Sequence, residues 1–493
     1  MSDPFLPGNA PRSPGGSRLP IYRYALDWDA FYERYPVPDV FEQTVYRWPA
    51  ERLRELQNER FLELMKRGWQ NPFYRALWKR AGIEPGDIGG LDDIVKLPTY
   101  SSEDLKNDQQ EHPPFGLLPG YPSLAEYLRC TPTKLQTSGG TTGKPRNTLH
   151  GIVEWEWMAL GGARALYVQG IRPGDIMQIP ATCSLANLAW GYYKACHDYL
   201  GVLPLTTGSG IVTPSRRQIE LAFDCGVNAW MSFPEYLLRL AQASREELGR
   251  DIGELNTKLI ATFLGPDTEG TLRAHLESLW GCPVYDNYGT NEMGHGAFEC
   301  VCKKGLHLME DAMYFEVLDT QTHQPVPPGQ VGNLVVTIFH RRLMPSIRFN
   351  LRDLGRIVTT ERCDCGSSFR RMDHFLGRSD NMVRMRGVNV HPMACLPAVR
   401  SDPRTTGEWV CEAYEAVVDG RPREELTVHV EVRRDAGSWS GLKEHLEARL
   451  KNDLGLSVNV ALAEEGKLDT VANLGEGKAK RLLERRPAYI RKN

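Results

Sequence analysis

At 493 residues, with 41% hydrophobic and 25% charged residues, the chain is long enough for about two to four domains and has a globular composition. That excludes a disordered, collagen-like or membrane-embedded protein. Lys and Arg number 59 against 62 Asp and Glu, a net charge of −3 without a basic tail, so a general nucleic-acid binder is excluded and small molecules or proteins are the expected partners. No run approaches the roughly 18 apolar residues of a membrane span, and the start lacks the apolar core of a secretory signal. A cytoplasmic protein is expected, with no membrane partner, in which eleven cysteines stay reduced and are candidates for metal binding.

In chain order, residues 1–20 are rich in Pro, Gly and Ser and read as a flexible arm. Over 46–80, Leu53, Leu56, Phe61, Leu62 and Leu64 recur at helical spacing among charged residues, which predicts amphipathic helix. Short apolar runs at 176–179 and 202–205 alternate with helical patterns at 215–223 and 234–243, which predicts an α/β domain. A second unit starts near Gly377 with GRSDNMVRMRGVNVHP. A strand pattern at 425–432 and a helix at 441–456 follow, a small α+β domain of about 115 residues.

The most informative stretch is 137–145, TSGGTTGKP. Glycines let backbone N–H groups approach an anion, hydroxyls add donors and Lys144 adds charge, so the stretch reads as a phosphate-cradling loop. Pro145 stands where a Walker loop has the Ser or Thr that holds magnesium, so the metal ligand must lie elsewhere.

This loop resembles the signature of the adenylate-forming superfamily of acyl-CoA synthetases, peptide-synthetase adenylation domains and luciferases. Four further segments resemble it in the same order: YDNYGTNE at 285–292, RFNLRD at 348–353, GRSDNMVRMRGVNVHP and EGKAKR. FEC…GLH, MPSIRF…RDL, RGVNVHP and EGKAKR are most similar to the phenylacetate-CoA ligase group, over about Tyr46 to Arg486. The resemblance implies an α/β enzyme with a large N-terminal adenylation domain of mixed sheets and helices over 21–379. A small mobile α+β C-terminal domain over 380–493 would carry the catalytic lysine. It also implies ATP, Mg²⁺, coenzyme A and a carboxylic acid as partners.

Residue by residue, the resemblance assigns Ser138, Gly139, Gly140, Thr141, Thr142, Gly143 and Lys144 to the phosphates. Gly265, Asp267, Asp286, Asn287, Tyr288, Gly289, Thr290 and Asn291 would line the nucleotide, Asp353 would hold the ribose hydroxyls, and Arg378 would reach ribose or phosphate. Glu292 becomes the magnesium ligand and Lys478 the catalytic lysine; Asp380 becomes the hinge, and Arg386, Gly387, Val388 and Asn389 border coenzyme A. Asn291 replaces the Thr or Ser that most relatives carry, and its amide can still donate to phosphate.

Cys300, Cys302 and His307, then Cys363 and Cys365, combine soft thiolates and an imidazole at short spacings, which suits tetrahedral Zn²⁺; buried free thiols are the alternative. By resemblance the ligands are Cys300, His307, Cys363 and Cys365, a structural site, with Cys302 a spare or a competitor. Cys363 lies 56 residues beyond His307, too far for one compact finger, which argues against a zinc-dependent binding module.

By resemblance the acyl pocket falls on Asn187, Trp190, Tyr192, Tyr193, Lys194, Phe233, Tyr236 and His295. Its aromatic rings suit a flat aromatic acid, core filling is the alternative for any single ring, and Lys194 and His295 are the candidates to meet a polar or carboxyl group. An aryl-acid CoA ligase is therefore expected. The alternative is an adenylation protein that loads a carrier protein or another nucleophile. A homodimer is left open.

Overall fold

The computed structural model describes every residue except 1–18, 121–123, 138–145, 268–269, 380–382, 386–387, 391, 419–420, 469–480 and 487–493. The chain divides into two compact units, Met1–Phe375 and Leu376–Asn493. The fold is α/β in the larger unit and α+β in the smaller, as expected.

Fifteen strands of the larger unit matter here. They are β1 (Tyr100–Ser101), β2 (Lys134–Thr137), β3 (Asn147–His150), β4 (Ile176–Gln178), β5 (Leu203–Leu205), β6 (Ala229–Met231), β7 (Leu259–Thr262) and β8 (Val284–Thr290). After these come β9 (Gly294–Glu299), β10 (Leu306–Leu308), β11 (Met313–Leu318), β12 (Gly332–Ile338), β13 (Ser346–Gly355), β14 (Ile357–Thr359) and β15 (Arg371–Met372). Nine form one sheet in the order β14-β15-β10-β9-β8-β7-β6-β4-β5, parallel from β5 through β8 and antiparallel beyond. The order β1-β13-β12-β11 defines a second sheet, and β2 and β3 form a hairpin.

Helices supply the faces. Ala50–Gln70 buries Leu53, Gln57, Arg60, Phe61, Leu64, Met65 and Gly68, one stripe at helical spacing. Asn71 ends it and starts Pro72–Arg80, its side chain accepting from the N–H groups of Phe73 and Tyr74. The helices expected at 215–223 and 234–243 are Ser215–Cys225 and Pro234–Leu248. Ile152–Gln169 is buried nearly all round and shows no helical period, so pattern reading passes over it. It carries Glu154 and Glu156 into the interior, and Glu154 caps the N–H groups of Arg342 (2.5 Å) and Leu343 (2.8 Å).

The smaller unit has its own core, around Trp409, Leu426, Val428 and Val430. Its four-stranded sheet runs in the order Asn459–Glu464, Arg421–Val432, Thr405–Val418, Leu482–Glu484, the central pair antiparallel and the outer pairs parallel. Helix Leu442–Leu454 packs on this core through Leu442, Leu446 and Leu450, spaced four apart.

Candidate active site

Parallel strands β4, β6, β7 and β8 end together, and in open α/β sheets ligands lie outside such carboxyl ends. At the end of β8 the chain turns tightly into β9. A Cβ on Gly289 would meet the Gly294 carbonyl oxygen at 2.3 Å, so only glycine fits the turn.

Both ends of the glycine-rich loop are tied to this turn. Thr137, just before it, accepts through its carbonyl from the Asn291 amide at 3.2 Å. Arg146, just after it, forms an ion pair with Glu292, and both side chains are nearly buried. Arg341, also buried, donates to the Glu292 carbonyl at 3.2 Å. Asn291 thus serves the loop's anchor, where a direct phosphate contact was expected. Sequence reading missed Arg146; its only signal is a cation directly following the loop. Ser138, Gly139, Gly140, Thr141, Thr142, Gly143 and Lys144 lie outside the described residues, as do Asp380, Arg386, Gly387 and Lys478. Val388 and Asn389 fall on the strand Val388–Val390.

The remaining nucleotide candidates divide. Tyr288 donates its hydroxyl to Asp353 Oδ2 at 2.7 Å, joining β8 to β13, and its ring stacks on Phe375 at 6.4 Å. Asp286 and Asn287 point inward. Asp286 accepts from the N–H groups of Leu264 (2.8 Å) and Asn287 (2.9 Å) and pairs with His374 at 2.6 Å. Asn287 accepts from Gln169 and donates to the carbonyls of Thr262 and Tyr285. Asp267 caps the helix Thr271–Trp280 by accepting from Leu272 N–H (3.0 Å) and Arg273 N–H (2.9 Å), and Gly265 takes a left-handed φ of 70° beside it. The carboxylates of Asp267 and Asp286 are therefore committed to the protein, and these positions shape the site through their backbone. Arg378 lies in the strand Gly377–Arg378, and Thr290 accepts from Met293 N–H at 3.4 Å.

The pocket candidates also divide. Tyr192 and His295 meet edge to face at 6.0 Å; Tyr192 meets Phe263 at 6.5 Å, and Phe263 meets Phe233 at 6.0 Å. This is a continuous aromatic wall where β6, β7 and β8 end, and Phe263 was not foreseen. Burial pushes His295 down to about 3, leaving a neutral imidazole. Asn187 donates to the Thr290 carbonyl at 3.3 Å. Tyr236 receives a bond from Gln218 Nε2 at 2.9 Å. Three side chains are engaged elsewhere. Lys194 pairs with Glu156 (3.1 Å) and Asp198 (2.5 Å), Tyr193 stacks on His197, and Trp190 lies under the Lys134 ammonium at 4.6 Å. The expectation that Lys194 meets a polar group of the acid gives way, since its charge is already compensated.

The cysteine candidates come together. The ligand atoms of Cys300, His307, Cys363 and Cys365 all lie within 4.8 Å of one another, and all but Cys365 are buried. Cys302 is outside this set and contributes its N–H to Cys300 Sγ at 3.4 Å. Cys300 and Cys363 sulfurs are 3.8 Å apart, and two sulfurs on a tetrahedral zinc at ~2.3 Å also lie about 3.8 Å apart. His307 Nδ1 faces the Phe369 carbonyl at 3.3 Å, which turns Nε2 toward Cys365 at 3.6 Å, the usual support for a ligating histidine. A hydrogen bond from Cys300, then those from His307 and Tyr46, hold Cys365 down to about 3 against the opposing effect of burial.

Comparison with known proteins places these features in context. The family of the AMP-binding enzyme C-terminal domain matches residues 387–486. The chain is 31% identical over 448 residues to a phenylacetate-coenzyme A ligase of Aromatoleum evansii, covering 89% of this chain and 95% of that one. It is 30% identical over 469 residues to the phenylacetate-coenzyme A ligase of Thermus thermophilus, covering 91% and 100%. Among solved structures, 2-hydroxyisobutyryl-CoA ligase in the postadenylation state with 2-HIB-AMP is similar at a TM-score of 0.78 and 25% identity, over 91% of this chain and 93% of that one.

Proposed function

The chain belongs to the phenylacetate-coenzyme A ligase family of adenylate-forming enzymes, and on that premise we propose that the acid it activates is aromatic, of the substituted benzoate or phenylacetate type. The protein is an AMP-forming, ATP-dependent acid–CoA ligase. The observation that carries the aromatic reading is the wall of Phe233, Phe263, Tyr192 and His295, whose flat faces match an aryl ring.

A carboxylate is a poor electrophile. The acid oxygen attacks the α-phosphate of ATP, pyrophosphate leaves, and the acyl-adenylate then gives its acyl group to the CoA thiol with release of AMP. Donors of the 138–144 loop, with Lys144 and Lys478, stabilise the charge that builds on the phosphoryl oxygens. Asn291 and Arg146 tie the residues on either side of that loop, Thr137 and Arg146 itself, to the β8–β9 turn. Asp353, oriented by Tyr288, accepts from the ribose hydroxyls. Arg378 supports the nucleotide, and Asp380 is the hinge of a C-terminal domain beginning there. Arg386, Gly387, Val388 and Asn389 border the thiol's path.

Magnesium binds through one or two carboxylates plus phosphate oxygens, and Glu292 at the loop's anchor fits that donor set. When bound, Mg²⁺ would screen the phosphate charge. Zinc fits Cys300, His307, Cys363 and Cys365 by sulfur spacing and by the second-nitrogen contact of His307, and with four protein ligands it would be structural.

The test is a panel of benzoate, hydroxybenzoate, aminobenzoate, phenylacetate and octanoate with ATP, with and without CoA. An optimum on one aryl acid and a matching CoA thioester are expected. Octanoate as the best substrate would remove the aryl reading. AMP formation that never yields a thioester would move the acceptor to a carrier protein.

A further inference from the structure

His374, directly before Phe375, is aimed at a buried acidic pair. Its Nδ1 lies 2.6 Å from Asp286 Oδ2 and its Nε2 3.9 Å from Glu299 Oε1. Asp286 is 2% exposed and Glu299 is fully buried. Glu299 accepts Asp286 N–H at 2.8 Å through one oxygen and Arg273 at 2.8 Å through the other. Two buried carboxylates thus share two partners, Arg273 and His374. Asp373, on His374's own segment, is taken by Arg356. Removing a partner from a buried charge leaves it uncompensated, a larger cost than losing the pair's own attraction.

What this network holds is the nucleotide side of the site. The Asp286 oxygen opposite His374 accepts Leu264 N–H, at the start of the 264–267 turn, and Asn287 N–H, next to Tyr288. Tyr288 packs on Phe375, the residue after His374, and orients Asp353.

We propose that His374 is a positioning residue for ATP: paired with Asp286, it holds the 264–267 turn and Tyr288 where the nucleotide docks. The proposal rests on the nucleotide-site reading above. Burial disfavours the imidazolium, but the hydrogen bond and charge of Asp286, then Glu299, keep its pKa above the ordinary histidine value. The paired form is therefore complete below about 6.5 and is lost as pH rises through the raised value. ATP affinity follows the same course.

The experiment is calorimetric ATP binding between pH 6 and 9 for wild type, His374→Phe and His374→Asn, with kcat measured alongside. Asparagine keeps a donor near the Nδ1 position without the charge. Dividing variant by wild-type Kd at each pH cancels the nucleotide's own ionisation. His374→Phe should weaken ATP about tenfold at pH 6.5, the scale of one hydrogen bond to a charged group, with the ratio to wild type falling as pH rises through the raised value. His374→Asn should lie between them at low pH, with kcat at saturating ATP within about twofold in all three. A Kd ratio near one at every pH overturns the proposal, as does a ratio that does not change with pH. So does a lowered melting temperature that leaves ATP binding untouched. If wild type binds ATP but makes no aryl-CoA, the substrate reading fails while this test still decides on His374.

Discussion

The β8–β9 hairpin has two differently built sides. The side proposed for the nucleotide is assembled from charged and hydrogen-bonded pairs: Arg146 with Glu292, Tyr288 with Asp353, His374 with Asp286. The side proposed for the acid is assembled from rings, Phe233, Phe263 and Tyr192, with a histidine that burial keeps neutral. The difference is chemical. Every substrate shares the same nucleotide and the same developing phosphoryl charge, which fixed polar groups can anticipate. The acid varies, and an apolar wall selects by shape, where one methylene is worth only about 10 to 200-fold.

Breaking the polar side should cost rate for every acid alike. Glu292→Gln is expected to lower pyrophosphate exchange by about 10²–10³-fold with the order of acids unchanged, and Lys478→Ala should do the same. A change in acid ranking would dissolve the distinction between the two sides, and wild-type exchange in the Lys478 variant would pass its role to Lys480. Cys363→Ser tests a third region that should serve neither side. About one zinc per chain is expected in wild type by elemental analysis; the variant should lose it and more than about 3 kcal/mol of stability. Its turnover per folded molecule should stay near normal. Metal-free wild type with an unchanged melting temperature would return these cysteines to free thiols.

On the acid side, Phe263→Ala should alter the preference among ring substituents by about tenfold while leaving ATP binding intact. Equal loss for every acid would place Phe263 in the scaffold. The smallest effect expected on selectivity is that of Lys194→Met. Its pairing with Glu156 and Asp198 predicts lower stability, about 1–3 kcal/mol, and an unchanged ranking of acids. A shifted ranking would restore Lys194 to the pocket.

The same contrast explains what was legible in the sequence. Cysteine and histidine at short spacing marked five metal candidates and the resemblance picked four of them, and the fold brings those four candidate ligand atoms together. The tight turn at Gly289 was not read: the resemblance assigned that glycine to the nucleotide, and the close backbone approach that demands it appears only in the fold. The α/β alternation was legible from short apolar runs, whereas Ile152–Gln169 was not, because a helix buried on all sides has no polar face to mark its period. The pocket was readable only in part, because aromatic residues fill cores as readily as they line sites. Trp190, Tyr193 and Lys194 were grouped with it because the resemblance places the pocket in that segment, yet their partners are Lys134, His197, Glu156 and Asp198. Arg146 and His374 were missed because each finds its partner far along the chain, and a lone cation carries no pattern.

The central claim, that an aryl carboxylate itself attacks the nucleotide at this site, is tested most directly by isotope transfer. The best acid of the panel, carrying ¹⁸O in both carboxylate oxygens, is turned over with ATP and CoA, and the AMP is examined by mass spectrometry. One ¹⁸O per AMP is the predicted result, because the attacking oxygen stays with the phosphoryl group when CoA takes the acyl carbon. AMP without label, with thioester formed, would contradict it.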